Sequence, residues 1–96
     1  MSISKERKQE LVLAYGAGEK DTGSSSVQIA IMTEHINQLT EHLKLHRKDN
    51  HTRRGLVQII NKRNKLLQYI YKEDKDSYRT LVKKLGIRAK YDRHHG

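Results

Sequence analysis

Apolar residues in this chain recur at steps of three and four, the spacing of an amphipathic helix. Ile29, Met32, Ile36, Leu39 and Leu43 fall within about 80° of arc at 100° per residue. They predict a long helix from residue 24 or 25 to about residue 46, a rod of roughly 33 Å. Leu56, Ile59, Ile60, Leu66, Leu67 and Ile70 form the apolar side of a second long helix over 53–73. Tyr78, Leu81, Val82 and Leu85 mark a shorter helix that begins at Asp74 or Asp76. Gly86 followed by Ile87 fits its stop. Before these, Leu11, Val12 and Tyr15 give an apolar edge to a first helix capped by Ser4, with Glu6 near its positive end and Gly16 as its stop.

Between the first two helices, Gly16 to Ser25 holds three glycines, Asp21, Thr22 and two serines, and reads as a loop with Ser24 or Ser25 as the following cap. Residues 47–52 read as a short polar connection, with Asp49, Asn50 and Thr52 as candidate caps. Two long helices joined by so short a segment must be antiparallel neighbours. The expectation is an all-α, four-helix fold, a long helical hairpin with short N- and C-terminal helices packed on it. A coiled-coil dimer is the structural alternative. Arg63 interrupts its seam and the heptads do not persist.

Charge adds an address to this fold. The 96 residues carry 20 Lys+Arg and 11 Asp+Glu, a net charge of +9, and the sequence pI is about 9.9. Residues 1–48 hold 7 basic and 6 acidic side chains, whereas 49–96 hold 13 and 5. A small domain with its excess charge in one half points to an acidic partner on one side, most often nucleic acid. There is no Cys, which excludes a disulfide framework, thiolate chemistry and cysteine-ligated zinc. No apolar run approaches the ~18 residues of a membrane span. The charged start lacks the apolar segment of a signal peptide, so a cytoplasmic setting is expected.

The faces of the two long helices carry the chemistry. On the third helix, Arg54, Gln58, Asn61, Lys62, Lys65, Tyr69 and Lys72 lie within about 100° of arc, opposite the apolar side. Cations meet phosphates, amides reach base edges or ribose hydroxyls, and a tyrosine stacks on an exposed base. The plain alternative is a solvated helix face. On the second helix, Gln28, His35, His42 and His46 fall within about 40° beside the apolar seam. His42 and His46, at i and i+4, also have the spacing of two metal ligands, but no HExxH pattern or second ligand cluster accompanies them. Residues 21–25 leave amides and hydroxyls for an anion without forming a Walker loop. No nucleophile, base and acid stand in catalytic order, so no enzyme is expected and no cofactor is implied.

Taken together, Asp21-Thr22-Gly23-Ser24, Val27-Gln28-Ile29-Ala30, the run from His46 through Asp49 and Thr52 to Arg53-Arg54-Gly55-Leu56, Lys65-Leu66-Leu67-Gln68-Tyr69-Ile70 and Leu85-Gly86-Ile87-Arg88 resemble the bacterial small-subunit ribosomal protein S15 family. The run 46–56 is the most specific of these strings. The resemblance covers about 4–88 and implies a single helical rRNA-binding domain over 1–88, with 89–96 a basic, disordered tail beyond the usual family end. It implies a structural protein that docks on a three-way junction of small-subunit rRNA and on a G-U/G-C motif in a nearby helix. It further implies nucleation of the platform beside other small-subunit proteins, contact with large-subunit rRNA across the subunit interface, and in some members control of their own messenger. By the same likeness, Thr22, Gly23, Gln28, Tyr69 and Lys72 match the junction positions. His42, Asp49 and Thr52, with His46 beside them, match the minor-groove positions. Arg53, Arg54 and Lys65 would meet phosphates. The chain departs from the family at Ser26, where an acid is usual, at Asn50 for His, at Thr52 for Ser, and near Gln38, where Arg or His is more usual.

Overall fold

The computed structural model of this chain describes residues 3–16 and 20–87, with side chains for 3–16 and 24–87. Four helices follow one another in these residues: α1 (Lys5–Tyr15), α2 (Lys20–Leu45), α3 (Asn50–Glu73) and α4 (Lys75–Leu85). There is no strand among the described residues. The two long helices pack against each other as the hairpin, α1 lies on α2, and α4 folds back on the α3 end. The expected tail, 89–96, lies outside the described residues.

The helix ends follow local chemistry. Ser4 Oγ accepts the Arg7 N–H at 3.1 Å and starts α1. Asp49 caps α3 by accepting the Thr52 N–H at 3.0 Å, so α3 begins at Asn50, three residues before the expected start. Asp74 takes two roles. Its N–H bonds the Ile70 carbonyl at the end of α3, and its carboxylate accepts the Asp76 and Ser77 N–H groups at the start of α4. Those bonds hold the Asp74 carboxyl below its ordinary pKa, chiefly through the Ser77 hydroxyl and amide. Gly86 takes φ +69°, the left-handed cap that only glycine adopts cheaply, and Ile87 N–H closes the motif on the Val82 carbonyl at 2.9 Å.

The loop expected through Ser25 is corrected at its second half. Helix α2 already begins at Lys20, so Ser24 and Ser25 are helical and neither is the cap. Glycine and serine disfavour helix by only about 0.5–1 kcal/mol each. Burial outweighs that here: Ser25 points inward beside the fully buried Ile29 and Ala30.

The core sits where α4 closes on the hairpin. Ile29, Leu67, Ile70, Tyr78, Leu81 and Val82 form it, and the Tyr71 and Tyr78 rings meet edge to face at 5.2 Å. Farther along α2, Ile36, Leu39 and Leu43 are buried as their spacing predicts. Arg63, the break in the apolar side of α3, crosses to α2 and donates to Thr33 Oγ1 at 3.2 Å. Partial burial lowers its pKa from the ordinary value. Helix α1 is fastened at both ends. Arg7 Nε forks onto the two Glu34 oxygens at 2.9 and 2.8 Å, while Lys84 Nζ donates to the Ala14 carbonyl at 2.8 Å and sits 4.3 Å from the Tyr15 ring centre.

Candidate nucleic-acid interface

The antiparallel hairpin brings the candidate residues into two groups at opposite ends. The start of α2, with Thr22, Gly23 and Gln28, lies at the end where α3 finishes with Tyr69 and Lys72. The end of α2, with His42 and His46, meets the start of α3 with Asp49, Thr52, Arg53 and Arg54. Gln28 and His42 are fourteen residues apart, which places the groups about 21 Å apart along α2.

All seven residues of the α3 stripe, Arg54, Gln58, Asn61, Lys62, Lys65, Tyr69 and Lys72, are exposed. Tyr69 is the least clear-cut, at 37% of its full exposure, so much of its ring is already covered by the protein. From Asn50 to Lys72 the helix contains no acid. Among the described residues, no ion pair involves Arg54, Lys62, Lys65 or Lys72. Arg7 on α1 and Lys44 on α2 differ: Arg7 is held by Glu34 and Glu10, and Lys44 by Glu41. Four cations on one exposed face of α3 are therefore presented without an acidic partner among the described residues.

At the hairpin tip the polar groups are interlocked. Asp49 Oδ1 accepts the Thr52 N–H at 3.0 Å, and Oδ2 accepts the Thr52 hydroxyl at 2.6 Å and His42 Nε2 at 2.8 Å. These bonds, first the Thr52 hydroxyl, then its amide, then His42, hold the Asp49 carboxyl well below the ordinary carboxylate range. The group is ionised and acceptor-only. A carboxylate offers about four lone-pair sites, of which three are taken, leaving one on Oδ1. The Thr52 hydroxyl has spent its proton on Asp49, so toward any further partner its oxygen can only accept. The His42 ring donates through Nε2 to Asp49, which leaves its Nδ1 edge uncommitted to that carboxylate. His46 is exposed and stacks on His42, with ring centres 4.5 Å apart and planes at 29°.

A cluster of acceptors on a helix end suits a donor on the partner. The guanine amino group in a minor groove is such a donor, and the ribose 2′-hydroxyl is another. The wide, shallow minor groove of A-form RNA admits short side chains of this kind. The metal arrangement considered for His42 and His46 has no third ligand: among the described residues no three His, Asp or Glu side chains are placed to hold an ion. Arg53 is exposed as expected, and one of its amino groups is engaged on the Arg47 carbonyl across the turn. The other donors of its guanidinium stay available for a phosphate.

Thr22 and Gly23 stand in the first turn of α2, not in a loop. The Thr22 N–H falls among the first-turn donors that have no intrahelical partner, and it can meet a phosphate or ribose oxygen. Sequence spacing did not reveal the His42–Asp49 bond, because it joins residues on two helices. It also missed a cleft at the tip lined by Thr40, Leu43, Lys44, Arg47, Arg53 and Leu56. Lys44 lies about 160° round α2 from His42, so this cleft opens on the other flank of the hairpin.

The family profile described as Ribosomal protein S15 matches residues 8–88. Over 88 residues the chain is 53% identical to the "Small ribosomal subunit protein uS15" of Carboxydothermus hydrogenoformans, and the match covers 92% of this chain and 99% of that protein. It is 54% identical over 88 residues to the protein of the same description from Chloroherpeton thalassium, with the same coverage. The chain belongs to the ribosomal protein S15 family, a family of ribosomal structural proteins and not of enzymes.

Proposed function

We propose that this chain is a structural component of the small ribosomal subunit that binds two features of small-subunit rRNA at once. The tip cluster of His42, His46, Asp49 and Thr52 reads a G-U/G-C minor groove. Thr22, Gly23, Gln28, Tyr69 and Lys72, at the other end of the hairpin, hold a three-way junction. Arg53, Arg54 and Lys65 meet the phosphates between and beside them. The observation that carries this reading is the ionised Asp49, fixed by Thr52 and His42 at one end of a cationic face. A bare carboxylate next to a polyanion is repelled. One that accepts a specific base amino group turns that repulsion into discrimination.

By spanning two rRNA elements, the chain nucleates the platform, where other small-subunit proteins then bind. The Lys44, Arg47 and Arg53 cleft, facing away from the histidines, supports a second RNA contact, with large-subunit rRNA across the subunit interface. The setting is the cytoplasmic ribosome, and the same RNA-reading surface is available to the chain's own messenger.

Filter binding to an rRNA fragment holding the junction and the G-U/G-C helix tests the reading. Binding that survives excess non-cognate RNA is expected, with much weaker binding to DNA of the same sequence. Equal affinity for any duplex would mean attraction by charge alone.

A further inference from the structure

Gly55 lies inside α3, where a glycine destabilises the helix relative to alanine. Two ordinary reasons for such a glycine fail here. Its backbone does not require one, because Gly86 is the only described glycine with positive φ. Packing does not require one either: a Cβ added at Gly55 meets nothing within 4 Å. The position is one helical turn from Thr52 at i−3 and from Gln58 at i+3, and at 100° per residue it falls within about 20° of Lys62. A patch of bare helix backbone therefore separates the tip acceptors from the cationic stripe. Any side chain there would stand up between the two.

We propose that Gly55 is the point of closest approach of the bound RNA to α3, where a ribose–phosphate strand rests directly on the helix backbone. The inference deepens the rRNA-binding reading and depends on it. With no side chain in between, Thr52 on one side and Gln58 and Lys62 on the other reach the same stretch of RNA. A methyl group or longer chain lifts the RNA off one side or the other. The glycine is retained for the partner's shape and works against the free protein's stability.

The test uses the full chain with Gly55→Ala and Gly55→Gln, both good helix formers, and the junction-containing rRNA fragment. Thermal unfolding is expected to show Gly55→Ala melting a few degrees above the wild type. Affinity for the RNA is expected to fall roughly tenfold with alanine and further with glutamine. Wild-type affinity in both variants would overturn the proposal. So would a lower melting temperature for Gly55→Ala, which would show that the glycine serves the fold. Failure of the wild type to prefer the fragment over non-cognate RNA is read before any variant, and removes the parent reading instead.

Discussion

Replacing Lys65 with alanine isolates the electrostatic part of the interface. Lys65 is exposed at the middle of the α3 stripe, with Arg54, Lys62 and Lys72 on the same face. None of the four is ion-paired among the described residues. If each of these four meets one phosphate and releases ~0.9 counterion, together they contribute about −3.6 to the slope of log K against log salt. That contribution corresponds to an affinity loss of about 150-fold between roughly 50 and 200 mM salt. Removing Lys65 lowers their contribution to about −2.7 and the corresponding loss to about 40-fold over the same range. The fold is left intact, because an exposed lysine off any cap or core contributes within about 0.5 kcal/mol. Filter binding at four or five salt concentrations gives both slopes, with Lys83→Ala, at an exposed position of α4, as the control. An unchanged slope for Lys65→Ala would mean that Lys65 meets no phosphate. An equal fall for Lys83→Ala would mean that the charge acts diffusely and not through this face.

Thr52→Val keeps the shape at the tip but removes the hydroxyl that Asp49 accepts at 2.6 Å; the salt slope is expected to stay unchanged while preference for the intact G-U/G-C helix over a base-changed one is lost, as competition binding would show. Ile70→Ala empties a fully buried position among Leu67, Tyr78 and Leu81, and is expected to cost about 2–5 kcal/mol and to lower the calorimetric melting temperature by ~10 °C or more. The Asp49 carboxyl titrates lower in the folded chain than its unfolded value of about 3.9. Its contribution to stability is therefore complete above about pH 4 and is lost as pH falls below that toward the lower folded value. Asp49→Asn, which can still cap α3, is expected to flatten the acid limb of melting temperature against pH, and an unaltered limb would contradict the assignment.

The hairpin and its stripes were legible because they are local. Ile29, Ile36, Leu39 and Leu43 repeat with the period that buries them, and the seven exposed positions of α3 fall opposite Leu67 and Ile70 by the same arithmetic. The start of α2 was not legible, because Gly23, Ser24 and Ser25 read locally as a loop while the inward face of Ser25 and Ile29 favours helix through packing. Arg63 read as a break in the apolar side and proved to be an interhelical link, since its partner Thr33 lies thirty residues away. The same limit applied at the tip. The polar connection suggested Asp49, Asn50 or Thr52 as a cap and the second-helix stripe His42 as a polar contact, but only the fold brings the His42 ring onto the Asp49 carboxylate and shows that Thr52 spends its hydroxyl proton there. Asp74 ending one helix and starting the next is a geometric coincidence of two caps that spacing alone left divided between Asp74 and Asp76.

The proposed function has one hairpin hold two separate RNA elements about 20 Å apart. A hydroxyl-radical footprint of the full chain on small-subunit rRNA tests it most directly. Two protected patches are expected, one at the three-way junction and one at the G-U/G-C helix. Thr52→Val is expected to weaken the second while the first persists. Protection at a single place, or an even veil of protection along many duplexes, would mean that the hairpin does not hold two elements.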